Sequence, residues 1–259
     1  ARTNAGETNP LFSPDGKSIV YYSSTDPVDW SGARHAVIYS VADGKTWRLK
    51  ATPDENGSII GWTPDSKNVI WTEANRTLSS VYILSADGKS VTEWNKGSKD
   101  LIGTIALNST GTHLAFVLQN PSQLPDGYLS PLTSFAPVKV TGINAALAGK
   151  PLPRTELIKW KGADGKEIEG LLTYPLNYKP GQKVPFILNV HGGPAGVFTQ
   201  ACVAANQGTY PVAAFAEAGY AVLRPNPRRS TGYGAEFRMA NRADWGGKDY
   251  QDLMAGVDF

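Results

Sequence analysis

The chain has 259 residues, 41% hydrophobic and 19% charged, with a formal net charge of +2 and 27 glycines and 18 prolines suited to a turn-rich β protein. Its basic residues are scattered, which gives no electrostatic footprint for nucleic acid, and no apolar run approaches the roughly 18 residues of a membrane span. The lone Cys202 excludes an internal disulfide, and three dispersed histidines make a Cys/His metal cluster implausible. No metal or cofactor is therefore expected, and the compartment stays open, since the sequence starts at Ala1 without a leader.

The first half repeats. Residues 11–22, 60–71 and 105–117 are each a short apolar stretch, a four-residue turn and an alternating strand. The turns begin at Ser13, Thr63 and Asn108, 50 and 45 residues apart. Ser, Thr or Asn at the first position can bond the local backbone, and Pro14 and Pro64 preset φ at the second. Between them, Val37–Lys45 is echoed by Val81–Lys89, each a strand ending in an Asp-Gly hairpin turn. Two hairpins in a period of about 45 residues predict four-stranded propeller blades, against the plainer alternative of an antiparallel sandwich. About three blades fit before residue 125, too few for closure, so further blades are expected to precede this sequence. Trp30, Trp47, Trp62, Trp71 and Trp94 recur with the blades and are expected to pack between them.

Residues 121–137, with Pro121, Pro125, Pro131 and Pro137, read as a linker without periodicity, and 138–150 hold a short amphipathic piece around Ile143–Leu147. The domain boundary falls near Pro151, giving a partial propeller over 1–145 and a second domain over 151–259. Glu156–Trp160 and Ile168–Tyr174 flank Ala163–Lys166 as a hairpin. From Val184 the pattern alternates: a strand over Phe186–Val190, apolar enough for burial on both faces, a helix over Pro211–Gly219, a strand over Tyr220–Asn226, a loop rich in Gly and Arg, and a helix over about Lys248–Phe259. Antiparallel strands leading into β-α-β-α predict the opening half of an α/β sheet.

The strand after Val184 delivers His191-Gly-Gly-Pro194, a turn of the kind that lines an oxyanion hole. Glycine at 192 and 193 lets backbone approach a substrate oxygen without a Cβ clash, while Pro194 has no N–H to donate. No G-x-S-x-G nucleophile turn occurs in the sequence, and no histidine follows His191. Together with Pro225–Gly234 and Asp244–Asp252, this turn resembles the prolyl oligopeptidase family of serine peptidases, in its acylaminoacyl-peptidase and dipeptidyl-peptidase-like branches. The resemblance implies a propeller capping an α/β-hydrolase domain, admitting short peptides that are cleaved through an acyl-enzyme. It makes the Gly193 N–H the oxyanion donor, supported by His191, Gly192 and Pro194, and places the serine, aspartate and histidine beyond Phe259. This chain alone is then expected to be inactive, and to self-associate through open strand edges. The rival readings are a propeller-type binding module without catalysis and an esterase of the same fold.

One departure bears on the site. Arg229 stands where the family pattern has glycine, and would strain the loop by about 1–2 kcal/mol if φ is positive there. Arg228 and Arg229 are candidates to bind a substrate carboxylate, against pairing within the domain. His191 is expected to order its turn rather than act as the base. Asp244, Asp249 and Asp252 are expected to complement a helix start.

Overall fold

The computed structural model describes residues 4–30, 32–147, 149–193, 195–205 and 210–259. Twelve strands form three consecutive four-stranded antiparallel sheets, each paired in chain order. The first holds β1 (Glu7–Phe12), β2 (Ser18–Ser24), β3 (Arg34–Ser40) and β4 (Thr46–Arg48). The second holds β5 (Ser58–Trp62), β6 (Asn68–Asn75), β7 (Leu78–Ser85) and β8 (Val91–Glu93). The third holds β9 (Leu101–Leu107), β10 (His113–Asn120), β11 (Gln123–Pro131) and β12 (Val138–Lys139). These are propeller-like sheets, and the doubled hairpin repeat marks their order.

The turn chemistry explains the repeat. Ser13 Oγ donates to Asp15 Oδ1 at 2.6 Å, which accepts Lys17 N–H at 3.1 Å. Thr63, Asp65 and Lys67 reproduce this at 2.6 and 3.1 Å, and Ser85, Asp87 and Lys89 at 2.7 and 3.0 Å. The fourth residue of each turn is left-handed, with φ 71° at Gly16, 59° at Ser66 and 76° at Gly88.

The sheets stack through alternating side chains. Val20, Tyr22 and Ile38 of the first meet Trp62, Val69 and Trp71 of the second in one buried cluster. From the opposite face of the second sheet, Ile70 and Val81 meet Trp94, Ile102 and Leu114 in another. β6 is thus covered on both faces. Trp62, Trp71 and Trp94 are buried as expected, but Trp30 is 43% exposed and lies 5.7 Å from the Trp245 ring instead of between sheets.

The linker reading of 121–137 is corrected. β11 lies inside that stretch and pairs with both β10 and β12, so the third sheet runs to Lys139. Its prolines hid the strand: Pro125 sits where the ladder shifts register and Pro131 ends it, two places where a missing N–H is tolerated. The amphipathic piece is a single turn over Ala145–Leu147 with Ile143 exposed.

A separate mixed sheet follows, ordered β13 (Thr155–Lys161), β14 (Glu167–Thr173), β16 (Ala221–Asn226), β15 (Phe186–Leu188). Helix α1 (Val212–Glu217) connects the parallel pair β15 and β16, and α2 (Ala235–Met239) and α3 (Lys248–Asp258) follow. Val203, Val212 and Val222 cluster on one face of the sheet, while Trp160, Ile168, Leu223 and Phe237 cluster on the other. β15 is shorter than its apolar run and lies at the sheet edge. Phe186 is exposed and its neighbours are half-buried, unlike the doubly buried strand the run suggested. Among the described residues no helix is long and apolar enough to cross a membrane.

Candidate functional site

Because β15 and β16 run parallel, their carboxyl ends lie side by side, and the loops that leave them converge. Leu188 pairs with Leu223, and Asn189 N–H extends the ladder to Leu223 O at 2.9 Å. The turn at 191–196 therefore meets the loop at 227–234 above the end of the sheet.

Gly192 and Gly193 are exposed. Gly193 has φ 130°, and a Cβ there would lie 2.7 Å from Gly196 N and 3.0 Å from Ala195 N. Only glycine makes this turn without a backbone collision. Among the described residues no acceptor takes the Gly193 N–H. Pro194 lies outside the described residues. His191 bonds within the turn and to the second loop: Nδ1 lies 3.2 Å from Gly192 O and Nε2 lies 3.0 Å from Ser230 Oγ. Burial pushes its pKa below the ordinary 6.5, the Gly192 carbonyl opposing this in part, so the ring is neutral at pH 7.

The second loop clamps the first at three residues. Asn226, at the end of β16, accepts Phe198 N–H at 2.8 Å through Oδ1 and donates Nδ2 to Phe198 O at 2.9 Å. Ser230, fully buried, places its hydroxyl 2.7 Å from Pro227 O and 3.0 Å from His191 Nε2. Thr231 donates Oγ1 to Ala195 O at 2.6 Å and N–H to Gly196 O at 3.1 Å. The Phe198 ring stands edge-on to His191, centroids 5.2 Å apart. None of these three roles was read from the sequence, although all lie in or beside the Pro225–Gly234 run. Arg224 lies over the same Phe198 ring at 5.6 Å, and burial pushes its pKa down to about 10.

The arginines separate. Arg228 donates Nε and Nη2 to Asp252 at 2.7 and 2.8 Å, and Nη2 to Ala163 O at 2.9 Å, with Asp164 3.2 Å away. Its guanidinium is committed within the domain, the alternative to carboxylate binding. Asp252 is correspondingly not a helix-start residue: it is buried and also accepts Ala163 N–H at 2.9 Å. Asp244 does meet the helix start, accepting Lys248 N–H at 3.2 Å. Arg229 has φ 89°, in the left-handed region. Its side chain turns inward over the Trp30 ring at 4.2 Å and donates to Trp30 O and Arg238 O at 3.3 Å.

The clamp is also where the two halves meet. The tip between β6 and β7 reaches Gly232, whose carbonyl accepts Arg76 N–H at 2.7 Å. Asp54 accepts Gly234 N–H at 2.8 Å and Arg238 Nη1 at 2.5 Å, both side chains buried. A cleft of 450 Å³ opens between them, lined by Ser58, Ile60, Glu73 and Ile102 of the propeller-like sheets and by Thr199 and Thr231 of the two loops.

Two loops thus meet at the carboxyl ends of a parallel strand pair, beside the propeller-like sheets, and similarity to known proteins bears on what such an arrangement is. The prolyl oligopeptidase family model matches residues 207–259. Dipeptidyl-peptidase 5 of Porphyromonas gingivalis is 26% identical over 254 residues, covering 97% of this chain and 36% of that protein. The uncharacterized peptidase YuxL of Bacillus subtilis is 30% identical over 198 residues, 76% of this chain and 29% of that protein. A puromycin-hydrolyzing peptidase of Mycobacterium tuberculosis shares the fold at a TM-score of 0.64 and 16% identity, over 98% of this chain and 46% of that one. The chain is thus related to the prolyl oligopeptidase family, whose model matches its last 53 residues, 207–259. It spans about a third of the length of the curated relatives it matches.

Proposed function

We propose that this chain is the part of a serine peptidase that supplies one oxyanion donor and several propeller blades to a site completed by residues outside it. Residues 1–145 are then a partial propeller, and 151–259 the N-terminal half of an α/β-hydrolase domain. The observation that carries this reading is the N–H of Gly193, an exposed residue, which no acceptor among the described residues takes, in a turn bonded at His191, Ala195 and Gly196 by the neighbouring loop. Such a donor, aimed at a developing oxyanion, contributes about 3 kcal/mol to the transition state once a nucleophile is present.

The substrates are short peptides, which approach through the cleft between the blades and the two loops. A serine, activated by a histidine, attacks the scissile carbonyl. The carbonyl oxygen gains negative charge, Gly193 N–H donates to it, and the amine leaves from an acyl-enzyme that water then hydrolyses. His191 stays a support for the turn. The 259-residue chain alone is inactive, and the open edge of β15 favours self-association.

A fluorophosphonate probe followed by intact mass measurement tests this. The 27.8 kDa chain stays unlabelled, whereas the longer protein carrying it is labelled and cleaves a dipeptide anilide. Labelling of the 259-residue chain, or a longer protein that turns over esters but no amide, would overturn the reading.

A further inference from the structure

A chain of hydrogen bonds, closed by one ring contact, runs from the propeller-like sheets to the turn at 191–196. Arg76, at the tip between β6 and β7, donates Nε and Nη2 to Glu169 Oε1 at 2.9 and 2.7 Å. Glu169 is buried in β14, and its other oxygen accepts the Tyr233 hydroxyl at 3.0 Å. Tyr233 in turn accepts Asn226 Nδ2 at 3.1 Å, and Asn226 holds the Phe198 backbone at both N–H and C=O. Phe198 carries the ring against which His191 stands.

The path begins at a contact built for close approach. Arg76 has φ 53°, and a Cβ on Gly232 would lie 2.8 Å from Arg76 O and 3.0 Å from Arg76 N. Next to it, Gln200 donates N–H to Thr77 O and Nε2 to Thr77 Oγ1, both at 2.8 Å. The tip thus touches both loops of the site. The Arg76 guanidinium also lies 5.2 Å from the centre of the Tyr233 ring. Burial first, and the Glu169 charge second, keep the Tyr233 hydroxyl protonated and donating.

We propose that Arg76 is a positioning residue for the oxyanion turn, acting through Glu169, Tyr233 and Asn226, so that the propeller sets catalytic geometry in addition to limiting access. The proposal rests on the reading of Gly193 as oxyanion donor. Its physical content is preorganisation: a donor must already stand where charge develops, and a small displacement of the turn costs rate without weakening ground-state binding.

The test is steady-state kinetics of the full-length protein on a peptide anilide, with Arg76→Met, Arg76→Lys, Tyr233→Phe and the Arg76→Met/Tyr233→Phe double variant. Arg76→Met is expected to lower kcat about tenfold with KM changed less than about twofold, because residues sharing one network couple at this scale. Arg76→Lys restores part of the loss. Tyr233→Phe, which leaves the Arg76–Glu169 pair in place, lowers kcat similarly, and the double variant is no slower than the slower single variant. Unchanged kcat in Tyr233→Phe, a rise in KM at constant kcat in Arg76→Met, or losses that multiply in the double variant would each overturn the proposal. Should Arg76→Met fail to fold, Tyr233→Phe decides alone. Gly193→Ala separates the two levels: if it leaves kcat untouched the oxyanion reading fails, whatever Arg76 does.

Discussion

Arg228 and Asp252 meet fork to fork, Nε to Oδ2 at 2.7 Å and Nη2 to Oδ1 at 2.8 Å, with neither side chain more than 2% exposed. They join the loop after β16 to helix α3, and the same carboxylate holds the 162–165 turn through Ala163 N–H. Neutralising Asp252 leaves the buried Arg228 guanidinium with the partly exposed Asp164 as its counter-charge. Asp252→Asn, which keeps an oxygen for Ala163, is expected to cost about 3–5 kcal/mol, read as a lower denaturant midpoint at unchanged slope. A loss below 1 kcal/mol would mean that solvent reaches Arg228.

Trp160 lies between two glycines. A Cβ on Gly170 would be 2.7 Å from one edge of its indole, and one on Gly256 would be 2.6 Å from the ring. The ring cannot retreat, because Nε1 donates to Asp252 O at 2.8 Å. Gly-to-Ala inside a helix ordinarily gains about 1 kcal/mol. Here overpacking wins, and Gly256→Ala in α3 is expected to cost about 1–3 kcal/mol. Thermal melting checks the sign, and a raised Tm would refute the packing account.

Arg229 tests conformation against contact. Its positive φ costs about 1–2 kcal/mol, while stacking on Trp30 returns roughly 0.5–1 kcal/mol. Arg229→Gly loses the stacking but relieves the backbone, so stability is unchanged or slightly raised. Arg229→Ala keeps the strain and loses the contact. The expected order of Tm is Gly at or above Arg, with Ala lowest; Ala above Gly would show that the backbone is unstrained.

Acid should weaken the fold through His191 and His35. Burial lowers the pKa of both below the ordinary 6.5, helped at His35 by the Arg48 charge. The unfolded chain then binds more protons than the folded one in the window below about pH 6.5, so stability rises with pH there. The contribution is complete above pH 6.5 and is lost as pH falls toward the depressed folded values. Tm is expected to drop between pH 7.5 and 5, and His191→Gln should flatten that slope. An unflattened slope would assign the acid sensitivity elsewhere.

The parts of the fold legible in the sequence are those written in local chemistry. Ser13-Pro-Asp-Gly and its repeats specify turns within a few residues, and the hairpins they join appear where expected. β11 was hidden because Pro125 and Pro131 imitate a linker, and only pairing with β10 and β12 makes the segment a strand. The His191–Gly193 turn was legible because its glycines carry the geometry. Asn226, Ser230 and Thr231 were not read, since an amide and two hydroxyls have no fixed role until a partner loop is placed beside them. Arg76 gave no signal at all: its carboxylate partner lies 93 residues away.

The turns starting at Ser13, Thr63, Ser85 and Asn108 close with the same two backbone bonds, at 2.8–3.1 Å across the turn and 2.9 Å within it. Each therefore satisfies most of its own polar groups, although the Asp15 N–H donates to Ser66 Oγ of the next such turn at 3.2 Å. They are expected to behave as near-interchangeable cassettes: exchanging residues 13–18 with 63–68 should disturb the one bond that passes between them, Asp15 to Ser66, and leave the corners themselves intact.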